Sequence, residues 1–508
     1  MPTEREYKFA VLVDREVPGL DDLVAVGDPV VVEQTAVYYD TVDLRLTRAG
    51  ASLRHRSDDG WTVKLPVEGG IGIGADAALV RAEHPVAGPP GDPPVAARDL
   101  VAARVRTARL TPVARLHTTR AQRSLRTLGP ADAAATDGAD VGVLTDDRCR
   151  AAGAPGDREF REIELEVAPD APAAVVAAVV ARLRSVSADP DGGSTPHPKV
   201  ARALGPLARA APDVVVPPVG TPATVTGVLR HALAESVQRL VVHDPVARIG
   251  EDPEGVHQAR VATRRLRSHL RTFRSHLHPV PIRVLRAELG WLAGELGAVR
   301  DADVLRDRLR TRLEGLDPDD ADAAQPILDR IDADRAAARA QLLAGLRSPR
   351  YLALLDRLVA VAARPPVVPG PDPDDLDALR RLVRTPWRRL RRAVAGLPDP
   401  APDAALHAIR IHAKRARYAA EVMVPVFGAP ARDLARAVTR VQDVLGEHQD
   451  AVVAGAWLRT TGRALPDPRA AFAAGELAAL ERVAAEAARD AWPEAWAGAN
   501  RPRLRRSW

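Results

Sequence analysis

The spacing of apolar residues changes its period once, at a proline-rich stretch, and this change constrains the fold more than any other feature. Before it, short runs alternate at a period of two, the repeat of a strand with two unlike faces. Glu4, Glu6 and Lys8 fall on one such face and Tyr7, Phe9 and Val11 on the other. Residues 35–40, 52–56, 60–65, 79–84, 113–122 and 158–167 read as further strands, with turn-rich stretches such as 69–70, 88–91 and 131–139 between them. Helical spacing is brief there, near residues 20–26, 96–109 and 171–184. Pro212, Pro217, Pro218, Gly220 and Pro222 then make a linker. From Thr224 onward Ala, Leu, Arg, Val and Asp recur at helical spacing, with breaks near 317–320, 365–375 and 398–402. The expected organisation is therefore α+β and multidomain: a strand-rich domain over 1–205, a linker over 206–222 and an all-helical domain over 223–508.

Charge divides along the same line. Residues 1–205 hold 25 basic and 30 acidic residues, net −5, whereas residues 206–508 hold 47 and 37, net +10. Such asymmetry points to halves with different partners. Of 72 basic residues only four are lysines: Lys8, Lys64, Lys199 and Lys414. Where lysine persists in so arginine-rich a chain, a compact ammonium is the expected requirement, rather than a planar fork. No apolar run approaches the ~18 residues of a membrane span. Residues 1–6 lack an apolar signal core, so a cytoplasmic protein is expected. The single cysteine, Cys149, excludes an internal disulfide and a CxxC-type zinc site.

The helical half repeats itself. Residues 256–267 and 406–417 share His-x-x-Arg-[Val/Ile]-x-x-[Arg/Lys]-Arg-x-Arg, and Leu296-Gly-Ala-Val-Arg-Asp301 matches Leu445-Gly-Glu-His-Gln-Asp450. The offsets are 150 and 149, so two motifs at one spacing indicate a duplicated unit, with copies over about 223–365 and 373–508. At 100° per residue His257, Arg260, Arg264, Arg267 and Arg271 form one stripe, opposite Ala259, Ala262, Leu266, Leu270 and Phe273. His407, Arg410, Lys414 and Arg417 repeat it. A solvated helix face usually mixes charge signs. No acid occurs in 256–286 or 406–420, and parallel rows of like charge repel unless an anion neutralises them. A polyanion is the expected partner. No aromatic residue interleaves the rows to stack on bases, so nucleic acid is a poor match and an all-phosphate ligand a good one. Asp301 and Asp450 either orient arginines or contact the ligand.

The strand-rich half carries a different pattern. Glu4 and Glu6 share a face, as do Glu162, Glu164 and Glu166. Solvated, sign-alternating strand faces are one account. The other is an antiparallel sheet closed on itself, with the carboxylates and Lys8, Arg54, Arg56, Lys64, Arg81, Arg115 and Arg120 on its concave side. Hard oxygen donors would then hold Mg2+ or Mn2+, and the cations would hold phosphate oxygens.

The order of the motifs gives the two halves a resemblance. Residues 222–508 resemble the CHAD family, the conserved histidine α-helical domain. That likeness implies two four-helix bundles related by pseudo-symmetry and a surface binding inorganic polyphosphate through His257, Arg260, Arg264, Arg265, Arg267, Arg300, His407, Arg410, Lys414, Arg415 and Arg417. Glu4-x-Glu6-x-Lys8, Ser52-Leu-Arg54-His-Arg56, Trp61-Thr-Val-Lys64, Glu162-x-Glu164-x-Glu166 and Pro198-Lys199-Val-Ala-Arg202 together resemble the CYTH family of triphosphate tunnel metalloenzymes over 1–205. This likeness implies an eight-stranded antiparallel tunnel. It implies a divalent metal, Mg2+ or Mn2+, held by Glu4, Glu6, Glu164 and Glu166, with Glu162 and Asp146 as further candidates. Lys8, Arg54, Arg56, Lys64, Arg81, Arg115, Arg120, Lys199 and Arg202 would bind substrate, Lys8, Arg56 and Lys64 among them acting in catalysis. The family's Asp-x-Gly pattern reads Asp146-Asp147-Arg148 here. The pairing of domains resembles CYTH–CHAD inorganic triphosphatases, associated with polyphosphate granules. The alternatives are a non-catalytic polyphosphate-binding protein, or a tunnel enzyme acting on ATP as an adenylate cyclase or on thiamine triphosphate.

Overall fold

The computed structural model describes residues 3–71, 79–128, 138–152, 158–188, 199–368, 376–506 and 508. The chain divides into two compact units, Met1–Asp213 and Val214–Trp508. In the first unit the described strands are β1 (Thr3–Val11), β2 (Val24–Val26), β3 (Val30–Asp40), β4 (Ser52–Arg56), β5 (Gly60–Ile71), β6 (Leu79–Val86), β7 (Thr111–Thr127), β8 (Asp140–Ala152) and β9 (Arg158–Val167). The sheet runs β7-β3-β4-β5-β6-β1-β9-β8, and β8 pairs again with β7, which closes an eight-stranded antiparallel barrel. The short β2 pairs with β7 beyond the end of β3. The 20–26 stretch is thus a turn followed by β2, not a helix. No alternation marks β8 in the sequence, because the polar run Asp146-Asp147-Arg148 hides it.

Closure gives every strand an inner and an outer face. Glu6 stands opposite Glu166, Lys8 opposite Glu164 and Ala10 opposite Glu162. The other parity of the same strands, Tyr7, Phe9, Val11, Ile163 and Leu165, is buried against Val176, Val179, Val180 and Leu183. These three valines and one leucine lie on one side of α3 (Ala173–Arg184), at helical spacing. Earlier in the chain lie α1 (Arg45–Arg48) and α2 (Val95–Val105). Asp40 fixes the start of α1: its carboxylate accepts from the backbone N–H of Leu46 at 2.9 Å and of Thr47 at 2.8 Å. A fourth helix, α4 (Val200–Leu204), buries Val200, Ala201, Ala203 and Leu204 with Ala36, Leu116, Cys149 and Phe160. Lys199 is its N-cap residue.

The proline-rich stretch is not all linker. Pro206–Arg209 forms a 3-10 turn, Ala208 is buried with α4, and Arg48 donates to the carbonyl of Ala211. Asp213 pairs with Arg48 at 2.8 Å, with Arg45 at 3.7 Å and with Arg106. The first unit therefore extends eight residues past the boundary expected at 205.

The second unit is helical. The first copy comprises α5 (Val225–Ile249), α6 (Pro253–Thr272), α7 (Pro279–Leu313), α8 (Pro318–Ala323), α9 (Gln325–Arg347) and α10 (Pro349–Ala363). The second comprises α11 (Leu376–Ala395), α12 (Asp403–Glu421), α13 (Val424–Phe427), α14 (Ala429–Ala464), α15 (Pro468–Ala499) and α16 (Pro502–Arg506). The starts are written locally: Thr224, Asp252, Asp317, Ser348 and Asp467 each accept from a backbone N–H two or three residues on. Proline stands in the first turn after four of these caps, where its missing N–H costs nothing. The long helices α5, α6, α7 and α9 pack in one bundle, α11, α12, α14 and α15 in another, and α6 meets α12 between them. Burial explains the helix faces: Val256, Ala259, Ala262, Leu266 and Leu270 of α6 and Leu406, Ile409, Ala413 and Ala416 of α12 are buried. Each fully buried Leu or Ile there contributes about 1.5–3 kcal/mol, so the basic stripes lie on the opposite side by default. No helix among the described residues is long and apolar enough to cross a membrane.

Candidate functional site

The barrel encloses a polar cavity of about 240 Å3. Among the described residues its wall carries seven cations, Lys8, Arg54, Arg56, Lys64, Arg81, Arg120 and Lys199, and five carboxylates, Glu6, Asp59, Glu83, Glu164 and Glu166. Tyr38, Ser52, Gln122 and Thr145 complete it. Each strand places its residues by parity. Arg54 and Arg56 are two apart on β4, Ser52 faces Lys64, and Lys64 faces Glu83.

The charges are packed into pairs. Lys8 Nζ lies 3.0 Å from Glu6 Oε2 and donates to Glu164 Oε1. Arg81 donates to Glu6, and Lys64 is 3.2 Å from Glu83. Arg120 makes a fork with Asp147, at 2.8 and 2.6 Å, and reaches Glu164 at 3.2 Å. Lys199 donates to Asp147 and lies 3.3 Å from Glu164. Arg54 reaches the Tyr38 hydroxyl at 3.5 Å. Burial alone would raise the Glu6 carboxyl, but Lys8 and Arg81 overcome it and lower it to about 2. The same contest, decided by Lys199, Lys8 and Arg120, holds Glu164 well below the carboxylate range. Glu162 goes the other way. It is fully buried, 3.9 Å from Lys8 and 3.7 Å from Arg202, and burial, opposed by Lys8 and reinforced by Glu164, pushes it up to about 7.

The placement corrects several expectations. Arg115 is exposed, because Ala114, Leu116 and Thr118 take the buried parity of β7. Asp146 is on the same outer side of β8 and pairs with Arg161 at 2.7 Å; its neighbour Asp147 turns inward and was missed. Arg202 does not line the cavity: it donates to the carbonyl of Arg161 at 2.7 Å and stacks 4.8 Å over Phe160, behind Glu162. Glu162 is likewise behind the wall rather than on it. The side chain of Glu4 lies outside the described residues, and its backbone pairs with Arg81. Glu83 and Tyr38 were also missed; both lie at positions of the inward parity, Glu83 two residues from Arg81 and facing Lys64, and Tyr38 facing Arg54.

Among the described residues no cluster of three acids or histidines is gathered for a metal ion. The donor chemistry nevertheless suits a hard cation: Glu6, Glu164 and Glu166 offer carboxylate oxygens into one water-accessible space. In this structure the Lys8 ammonium neutralises the first two.

In the helical unit the duplicated row is half-buried rather than solvated. Arg260 donates to the carbonyl of Gly297 at 3.2 Å and to Asp301 at 2.7 Å. The guanidinium of Arg410 lies over Gly446, the matching glycine. Arg264 lies 5.6 Å over the Tyr418 ring and Arg417 4.7 Å over the same ring. Arg260, Arg264, Arg410 and Lys414 act on one another electrostatically, so the two copies contribute to one field. Burial first, then Arg410, Arg264 and Arg260, lowers Lys414 to about 8. His257 is lowered by burial and by Arg300, Arg264 and Arg260. His407 sits on the row by register, and Arg267 is exposed. Arg265 and Arg415 leave the row, 100° on from Arg264 and Lys414. Arg265 faces Glu235 at 4.0 Å and Glu421 at 3.7 Å, and Arg415 lines a separate cavity. Asp301 holds an arginine of the row, and Asp450 lies near Arg410 and Lys414.

Comparison with known proteins agrees with this architecture. The CYTH domain model matches residues 2–187 and the CHAD domain model residues 231–459. An uncharacterised protein of Mycobacterium tuberculosis is 31% identical over 472 residues, 89% of this chain and 87% of that one. PptA from Streptomyces chartreusis is 28% identical, covering 54% of this chain and 100% of that one, with a TM-score of 0.46. The CHAD domain from the plant Ricinus communis is also 28% identical, covering 55% and 96%, with a TM-score of 0.46. CYTH domains are metal-dependent tunnel enzymes of phosphoryl chemistry whose tunnels take triphosphate substrates, and with that barrel followed by the duplicated helical unit the chain belongs to the CYTH–CHAD family.

Proposed function

We propose that the barrel hydrolyses inorganic triphosphate and that the helical unit binds inorganic polyphosphate. One observation carries the first part. The cavity wall sets seven cations and five carboxylates around a closed space, and among the described residues Tyr38 is its one aromatic side chain and none is aliphatic. Such a wall suits a ligand made of phosphate alone and offers no shelf for a nucleoside base. Arg54, Arg56, Lys64, Arg120 and Lys199 would take the phosphate oxygens, exchanging carboxylate partners for phosphate ones. Glu6, Glu164 and Glu166, with Glu4, would hold Mg2+ or Mn2+. A bound divalent ion supplies charge neutralisation at phosphate oxygens. Lys8 and Arg81 hold Glu6 ionised, and Lys199, Lys8 and Arg120 hold Glu164 ionised, so both are ready to serve as ligands at neutral pH. Hydrolysis breaks the bond between the terminal phosphorus and its bridging oxygen; water supplies the new oxygen, and the walls neutralise charge left on the pyrophosphate.

The second part is supported by the half-buried row, where burial and the neighbouring cations lower Arg264 and Lys414, a charge that a bound anion would offset. The test is a phosphate-release panel with Mg2+ or Mn2+ over triphosphate, ATP, thiamine triphosphate and long polyphosphate, with cyclic AMP assayed alongside. Triphosphate should be turned over fastest. Glu164→Gln and excess chelator should each abolish turnover, with thermal melting showing that the variant stays folded. Turnover in chelator, or preference for ATP, would overturn the reading. Polyphosphate should bind the full chain more tightly than duplex DNA of equal charge, with affinity falling steeply with salt.

A further inference from the structure

A second cavity, of about 420 Å3, opens within the helical unit between α6, α7, α11 and α12. Arg271 on α6 and Arg274 after it, Arg286 on α7, Arg381 and Arg389 on α11, and His412 and Arg415 on α12 all line it. Four hydroxyl side chains add donors, and no carboxylate lines it among the described residues.

The duplication that explains the row does not explain this cavity. Arg415 corresponds to Arg265 at the offset of 150. Arg265 is met by two glutamates, Glu235 and Glu421, whereas the electrostatic neighbour of Arg415 is Arg389. The second copy has thus gathered cations where the first has balanced them. The wall shows the strain of this: burial first, then Arg415, Arg286, Arg267 and Arg274, pushes Arg271 below its ordinary value. His412 is lowered by burial, Arg415 and Arg389. Guanidinium forks held around one space match the oxygens of phosphoryl groups two at a time.

We propose that this cavity is a second phosphoanion site, separate from the α6/α12 row, which takes a short oligophosphate of several phosphoryl groups. An orthophosphate dianion would leave most of the charge of Arg271, Arg274, Arg286, Arg389 and Arg415 unneutralised. The space exceeds the barrel cavity of about 240 Å3, and among the described residues its wall offers Leu382 and Pro386 but no Phe, Tyr or Trp face for a base. The site does not depend on the row's binding long polyphosphate.

The test uses the full chain in chelator, titrated calorimetrically with tripolyphosphate. The double variant Arg286→Gln/Arg389→Gln should lose one class of tripolyphosphate site, or weaken it by about tenfold or more. Arg260→Gln/Arg410→Gln should keep that class while losing long polyphosphate. Metal-dependent turnover in the barrel should be unchanged in the Arg286/Arg389 variant. In the wild-type chain, tripolyphosphate should protect His412 from diethyl pyrocarbonate, and orthophosphate at the same concentration should not. Unchanged stoichiometry and affinity in the Arg286/Arg389 variant would overturn the site, as would an unprotected His412. Loss of the same class in the Arg260/Arg410 variant would merge it with the row, and equal protection by orthophosphate would overturn the ligand class. Should the Arg286/Arg389 variant not fold, the His412 protection decides.

Discussion

Glu162 is fully buried behind the cavity wall, and its carboxyl, at 4.5 when free, is pushed up to about 7 by burial against the pull of Lys8. Between those two pH values the folded chain keeps a proton that the unfolded chain has lost. Its contribution to stability is therefore full below 4.5, declines as pH rises and is gone above about 7. Glu6 behaves oppositely: lowered to about 2, its contribution is present above 4.5 and lost as pH falls through 2, so the two windows do not overlap. Glu162→Gln, which stays neutral, should gain on the wild type by about 2–3 kcal/mol between pH 4 and pH 8. Melts of both proteins at pH 4, 6 and 8 measure this, and a difference independent of pH would sink it. Much of the wall was legible at this scale, because Glu6 and Lys8, Arg54 and Arg56, and Glu164 and Glu166 are two apart on strands. Arg115 and Arg120 are five apart, so one regular strand cannot turn both inward, and that parity could have excluded Arg115. Asp146 and Asp147 offered both parities at once. Only pairing settles them: Asp147 faces Arg120 and Glu162 in the ladders on either side.

The helices α7 and α14 carry the same device at matching places. Each has a glycine under an arginine of the neighbouring basic helix, Gly297 under Arg260 and Gly446 under Arg410. The fits differ. A Cβ on Gly446 would stand 3.3 Å from Arg410 Nη2 and 3.4 Å from its Nε, tighter than ordinary contact, whereas on Gly297 it would stand 3.9 Å from Arg260 Nη1. Alanine inside a helix is worth about 1 kcal/mol over glycine. Gly297→Ala should therefore raise the melting temperature and leave polyphosphate affinity alone. Gly446→Ala should also keep or raise the melting temperature, but it should weaken polyphosphate binding a few-fold by moving Arg410. Equal binding by both variants would remove this role from Gly446. Helix starts were readable from Asp, Ser and Thr caps followed by proline, and the copies from their common offset. The glycines' purpose was not, since it depends on which side chain a second helix lays over them. β8 escaped for a related reason: its outward side mixes Leu144 with Asp146 and Arg148, so no clean alternation marks it.

At the scale of the chain, the change of apolar period located two units, and the prolines located the join only approximately. Residues 206–213 have no period of their own. What ties them to the barrel is visible only in partners: Ala208 buried with α4, the Ala211 carbonyl accepting from Arg48, and Asp213 among Arg45, Arg48 and Arg106. The Arg106 side chain is 5% exposed, and that carboxylate offsets its charge. Removing one partner of a buried pair costs about 3–5 kcal/mol, and the 19% exposure of the Asp213 side chain reduces this to about 2–3 kcal/mol through solvent screening. A fragment of residues 1–213 should therefore melt in one cooperative transition and well above a fragment of residues 1–205, which also loses the burial of Ala208. Asp213→Asn in the longer fragment should fall between them, because it removes the charge and keeps the chain. Urea melts of the three measure the order. If 1–205 matched 1–213 in midpoint and cooperativity, residues 206–213 would be linker after all, and the arginine cluster around Asp213 would be a surface contact without weight in the fold.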